Sequence, residues 1–256
     1  MEERPKMPVG LQLLILLLLW MAGGDLLGGI FQTLWLQFSG VPLEEMDVTQ
    51  PAYVLPATFC FQVGSLILPL LLFKRITQQP FFEFIRYKGK LSIKWIGITI
   101  GILVVGLLAM QGLSVINKGL ENLIPDNPLI QYEYDVNELQ NKLLIHDNWG
   151  LFIGTIALMA ILPAIVEELI FRGVLMGKLM ETSGGNLHFS VIVSSVIFAG
   201  LHLQPLKLLP MIFMGCCLGY LYHYTKSIKY PILLHFLVNA TQIAALFFFG
   251  EVETQL

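Results

Sequence analysis

The run Val166-Glu167-Glu168-Leu169-Ile170-Phe171-Arg172-Gly173 sets two carboxylates and a guanidinium inside an otherwise apolar stretch. An ionisable group at bilayer depth costs at least about 2.5 kcal/mol, so such groups are functional candidates by default. Two further polar pairs follow on later apolar stretches, Phe198…His202 and His235…Asn239. Glu168 and Arg172 are four apart and face each other on a helix. Glu167 is rotated by one residue and points elsewhere. The expected division is that Glu168 pairs with Arg172 while Glu167 stays available for chemistry. A carboxylate withdrawn from bulk water suits a general base. The histidines could share a proton, bind a metal or orient a water. The Asn239 amide could donate to a developing oxyanion.

These residues need a scaffold, and the composition specifies one. The 256-residue chain is 55% hydrophobic and only 13% charged, with a mean hydropathy of +0.72. Soluble domains carry about 25% charged residues. The expected fold is an all-α polytopic membrane bundle of about seven to eight transmembrane helices, forming one domain over 1–256. Seven apolar blocks of about spanning length lie near 9–37, 52–73, 93–116, 149–181, 187–204, 208–224 and 230–249. The first starts too late and runs too long for a signal peptide. Its Gly23-Gly24-Asp25 and Gly28-Gly29 predict a kink or close packing, and a further short helix within it gives the count of eight. Pro163 predicts a bend in the fourth block. Gln204-Pro205-Leu206-Lys207 reads as a tight turn.

Ser183-Gly184-Gly185-Asn186 is a strong turn signal. Glu167 precedes its centre by about 17 residues and His202 follows by about 17, so antiparallel helices put both roughly 26 Å from the turn.

Loop charges predict sidedness. Segment 74–94 carries six basic residues against Glu83 alone, whereas 117–148 has six acids against Lys118 and Lys142. Lysine and arginine stay cytoplasmic. The N-terminus and the 74–94 loop are therefore expected inside, and 117–148 is expected as an extracytoplasmic loop with some amphipathic helix, serving as a lid. His235 follows Lys226 by about nine residues, roughly 13 Å of helix, which predicts a cavity open to the cytoplasmic side. The net charge of -3 gives no sign of nucleic acid. Cys60, Cys216 and Cys217 read as packing residues. Asp25, Gln62, Gln111 and His223 read as polar bridges between helices, His146 and His188 as solvated, and Gly215-x-x-x-Gly219 as close packing.

Glu167-Glu168-x-x-x-Arg172, Phe198-x-x-x-His202 and His235-x-x-x-Asn239, in that order on successive helices, resemble the three motifs of the CPBP (Abi) intramembrane proteases. This family includes the CAAX-prenyl endopeptidases and bacteriocin-processing or immunity proteins. Phe171-Arg172-Gly173-Val174-Leu175 and Gly219-Tyr220-Leu221-Tyr222-His223-Tyr224-Thr225 agree with it. The resemblance covers roughly 149–245, the expected protease core. It implies peptide-bond hydrolysis in a membrane cavity open to the cytosol. Glu167 would activate a water with help from His202, His235 and Asn239 would stabilise the oxyanion, and Glu168 and Arg172 would hold the site together. The family was first described as metal-dependent, and a glutamate with two histidines resembles a Zn2+ set with an open position. No H-E-x-x-H helix is present, and a water activated by glutamate without metal fits the same residues.

The resulting expectation is an intramembrane endopeptidase acting on a membrane-associated protein or peptide, in a bacterial cell membrane. Two other classes compete. One is a non-catalytic immunity or interaction protein on the same scaffold, which the complete motif set opposes. The other is a proton-coupled transporter, since buried Glu and His also mark ion paths, although no inverted repeat is visible.

Overall fold

A backbone surrounded by hydrocarbon must satisfy its own N–H and C=O groups, and a helix does so within a single segment. The computed structural model describes residues 7–40, 50–79, 81–82, 85–86, 91–123, 127–144 and 148–250, and their regular structure is helical. Helix α1 spans Val9–Ser39, α2 Pro51–Thr77, α3 Ile93–Leu123 and α4 Pro128–Leu144. Helix α5 spans Trp149–Thr182, with π-helical stretches at Ile156–Ile161 and Leu169–Leu175. After it come α6 (Leu187–Gly200), a 3-10 turn at Pro205–Lys207, α7 (Leu208–Thr225) and α8 (Lys229–Phe249).

The protein is polytopic. Among the described residues, six helices are long and apolar enough to cross a membrane. The fifth apolar block forms only α6, whose 14 residues extend roughly 21 Å against a hydrocarbon thickness of about 30 Å. The first block is one continuous helix, so it holds no eighth. The chain from 117 to 148 is less of a loop than expected, because α3 runs on to Leu123 and α4 follows as a helix of its own.

Local sequence explains where the helices start and stop. Asn148 and Asn186 cap α5 and α6, their side chains accepting the N–H of Leu151 at 3.1 Å and of Phe189 at 3.0 Å. These bonds satisfy N–H groups that a helix start leaves without partners. In α5, Pro163 follows directly on the first π-helical stretch. Proline has no N–H for an α-type bond, so the change of helical register and the proline occur together.

Close packing depends on two glycine pairs. A Cβ on Gly23 or Gly64 would run into the backbone of the other, so α1 and α2 touch at those residues. A Cβ on Gly215 would lie 2.8 Å from that of Ser195, and one on Gly219 would lie 3.1 Å from Val191, which brings α7 against α6. Asp25 and Gln111 face outward rather than bridging helices. His188 is not free at its segment end, since its Nδ1 lies 2.7 Å from the Tyr220 hydroxyl. Glu83, Lys88, Lys90, Asp147, His146 and most of the acidic 38–51 segment lie outside the described residues. The three cysteines are free thiols.

Side-chain and backbone contacts sort the helix termini into two ends. At one end the Arg86 N–H donates to the Tyr222 hydroxyl at 2.9 Å and the Ile228 N–H to the Arg86 carbonyl at 2.8 Å. There too the Ser92 N–H donates to the Tyr230 hydroxyl at 2.8 Å, and Lys178 donates to Gln79 at 3.2 Å. Val9 and Gly10 meet Thr182 and Ser183 at this same end. At the other end Asn117 of α3 donates to the Pro205 carbonyl. Glu133 of α4 accepts the Leu206 N–H at 2.7 Å, and Lys207 donates to Asn137 at 2.5 Å. Trp149 packs there on Phe247, with centroids 5.1 Å apart.

Candidate active site

Glu167, Glu168 and Arg172 lie on consecutive turns of α5, with the second π-helical stretch starting directly after Glu168. A π-turn widens the helix locally and re-aims the side chains around it, and such turns occur often at functional sites. Glu168 and Arg172 are fully buried, and Glu167 is 8% exposed. The Arg172 guanidinium donates to Glu168 Oε1 at 2.8 Å and to the Gly215 carbonyl at 3.2 Å. It also lies 4.7 Å from the centre of the Phe198 ring. The absent side chain at Gly215 thus has a second consequence, since it lets the α7 backbone come close enough to accept from Arg172.

Helix α6 ends at Gly200, so His202 sits in the turn beyond it. Its ring still lies against Phe198, with centroids 4.8 Å apart, and its Nδ1 is 2.8 Å from the Phe198 carbonyl. A carbonyl only accepts, so Nδ1 carries a proton and Nε2 is the nitrogen on the cavity side. That Nε2 is 4.0 Å from Glu167 Oε2. The two residues meet at the same height, as the spacing about the 183–186 turn predicts.

His235 of α8 completes the cluster. Its Nε2 lies 3.9 Å from Glu167 Oε2, and its Nδ1 lies 2.8 Å from Glu168 Oε1. Helical spacing pairs Glu168 with Arg172 but is silent on this second contact, because α5 and α8 are far apart in sequence. One carboxylate oxygen therefore holds both a guanidinium and an imidazole.

Glu167, His202, His235 and Asn239 all line one cavity of about 460 Å³. Gln62 of α2 lines it as well, rather than bridging two helices, along with Thr58, Ser114, Gln204, Lys207 and Gln242. Each of these polar residues is visible as a polar interruption in the sequence. Their convergence is not, because they come from five separate segments.

Among the described residues the cavity lining runs away from Arg86 and Ser92, whereas the sequence predicts an opening toward the 74–94 segment. Its α8 lining is the stripe His235, Asn239, Gln242 and Leu246, which leads away from Lys229. Its α7 lining is Pro210 and Met211, beside the Pro205–Lys207 turn. The mouth is at the α4 end, and the contacts of Arg86 and Ser92 are at the opposite end. The distance from Lys226 to His235 measures the depth of the floor from the closed end and does not locate the opening.

Donor geometry bears on a metal. Two donors sharing a tetrahedral zinc at about 2.05 Å lie roughly 3.3 Å apart, whereas Glu167 is 4.0 and 3.9 Å from the two histidine nitrogens. Among the described residues no group of three His, Cys, Asp or Glu side chains is placed to hold a metal ion. The side chains as placed do not fit the group.

Fold and site together define a polytopic membrane protein with a buried Glu/His cluster in a polar cavity. Residues 149–241 match the family described as Type II CAAX prenyl endopeptidase Rce1-like. Through that segment the chain is similar to the Rce1-like CAAX proteases. It is 38% identical over 91 residues to the Putative membrane peptidase YdiL of Bacillus subtilis (strain 168), covering 34% of this chain and 36% of that one. It is 36% identical over 85 residues to the Membrane-embedded CAAX protease MroQ of Staphylococcus aureus (strain USA300), covering 31% and 34%. The chain thus spans about a third of the length of the curated relatives it matches. No solved structure matches it.

Proposed function

We propose that the protein is an intramembrane endopeptidase of a bacterial cell membrane that hydrolyses a peptide bond of a membrane-associated protein or peptide. The observation that carries this reading is the facing pair Glu167 Oε2 and His202 Nε2, two acceptors 4.0 Å apart at the wall of a polar cavity. One water can bridge them by donating a proton to each.

The reaction then runs on this chain's own groups. The water oxygen attacks the scissile carbonyl carbon as Glu167 takes one of its protons. His202 fixes the orientation of the water through its Nε2 lone pair. The carbonyl oxygen becomes an oxyanion that accepts from the Asn239 amide. His235 donates Nδ1–H to Glu168, so its imidazolium form presents Nε2–H to the same oxyanion. Glu167 returns its proton to the leaving nitrogen as the C–N bond breaks, giving an amine and a carboxylic acid, whose remaining proton passes to the amine to leave an ammonium and a carboxylate. Arg172 touches neither substrate nor water; it positions Glu168, and through it His235. No step uses a metal.

Hydrolysis leaves an isotopic record. Purified protein in nanodiscs, incubated in H2(18)O with membrane-associated peptides, should give new C-termini that each carry one heavy oxygen. Failure to cleave any presented peptide, with the protein folded, would contradict the reading.

A further inference from the structure

We propose that the cavity draws its substrate from the extracytoplasmic side, so that the substrate class is an exported peptide or an outward-facing segment of a membrane protein. A cytosolic prenylated tail could not reach it. The proposal rests on the peptidase reading for the chemistry, but its sidedness stands on charge distribution and cavity geometry, independently of that reading.

Charge distribution carries the first half of the argument. Among the described residues, Lys74, Arg75, Arg86, Lys94, Lys178, Lys226 and Lys229 belong to the end held together by Arg86, Tyr222 and Tyr230. Lys118, Lys142 and Lys207 belong to the other end. Seven against three is a strong bias, and basic residues in short loops stay in the cytoplasm. The Arg86 end is therefore cytoplasmic and the α4 end is outside.

The cavity supplies the second half. Its mouth lies among Gln204, Lys207 and Gln242, at the α4 end. Its floor, at Glu167 and His235, lies inward of that mouth, since His235 and Gln242 are seven residues apart on α8, roughly 10 Å. Toward the cytoplasm the floor is closed by packed side chains. Phe171, Leu175, Leu218 and Leu234 are fully or almost fully buried there. A peptide could follow the polar wall inward from the outer face.

Helix α4 fits this arrangement. It docks on the rim turn through Glu133 and Asn137, with Leu206 and Lys207 as their partners. That docking fixes the turn next to His202 from the outer side.

Cysteine accessibility in intact cells tests the sidedness whether or not any substrate is cleaved. Single cysteines replace Gln242 at the mouth and Ser92 at the opposite end, in a background with Cys60, Cys216 and Cys217 changed to alanine. A sulfonated, membrane-impermeant maleimide should label Gln242→Cys in intact cells and Ser92→Cys only after permeabilisation. The reverse pattern overturns the proposal. A second arm maps new N-termini in membranes of cells carrying the wild-type protein or Glu167→Gln. Termini that depend on Glu167 should lie in outward-facing segments, and termini confined to cytoplasmic segments overturn the substrate class. Absence of any such terminus, with outside labelling retained, counts against the peptidase reading and leaves the sidedness standing.

Discussion

Replacing Arg172 by alanine separates a residue that holds the site together from one that does the chemistry. Arg172 is fully buried, donates to Glu168 Oε1 at 2.8 Å and to the Gly215 carbonyl at 3.2 Å, and lies over Phe198. Its removal leaves a fully buried carboxylate with His235 as its one remaining side-chain partner. Breaking a buried ion pair from one side costs about 3–5 kcal/mol. A domain of 150–250 residues loses about 2–4 °C in melting temperature per kcal/mol, so Tm should fall by roughly 6–20 °C. Thermal unfolding in nanodiscs, followed by intrinsic tryptophan fluorescence, measures this. The same reasoning makes Glu168→Gln a partial rescue in the double variant, because the uncompensated charge goes with it. An Arg172→Ala protein that melts within about 1 °C of wild type, well under the loss expected for a buried pair, refutes the reasoning. So does a double variant less stable than Arg172→Ala alone.

Three further outcomes follow from the same geometry. Asn239→Ala should lower kcat about 10²–10³-fold with little change in Tm, as loss of one oxyanion donor does; steady-state kinetics on a cleaved peptide checks it. Exhaustive chelation should leave the cleavage rate unchanged and metal analysis should find no stoichiometric zinc, because the carboxylate–imidazole separations of 3.9 and 4.0 Å are wider than a shared zinc allows. Burial raises the Glu133 carboxyl above its ordinary value, against the lowering effects of the Leu206 N–H and of Lys207. A carboxylate raised on docking favours the docked state at low pH and loses that contribution as pH rises from the unfolded toward the docked value. Exchange protection across Pro128–Leu144, taken relative to the intrinsic rate at each pH, should therefore fall with rising pH through that window, and Glu133→Gln should abolish that fall.

How much of this could be read from the chain depends on the range of each signal. The matched height of Glu167 and His202, the Glu168–Arg172 pair and the shared face of Phe198 and His202 are properties of one helix or one hairpin, and spacing resolves them. The link from His235 to Glu168 joins residues 67 apart in sequence, and periodicity carries no such information. Helix α6 stops at Gly200 although the apolar block runs on, because backbone geometry there, and not hydropathy, ends the helix. The direction of the cavity is not legible for a similar reason: distance from one loop measures depth and not opening. Gln62 looked like a helix bridge because a lone polar residue has the same signature whether it faces a neighbouring helix or a cavity.

The central claim is that Glu167 acts as the base on water within an intact fold. The most direct test is the single-turnover cleavage rate of Glu167→Gln in nanodiscs, measured beside its melting temperature. Glutamine is nearly isosteric and cannot take the proton, so the rate should fall by at least about 10²-fold while Tm stays within about 2 °C, a shift worth no more than roughly 1 kcal/mol. Cleavage at the wild-type rate by this variant would contradict the account.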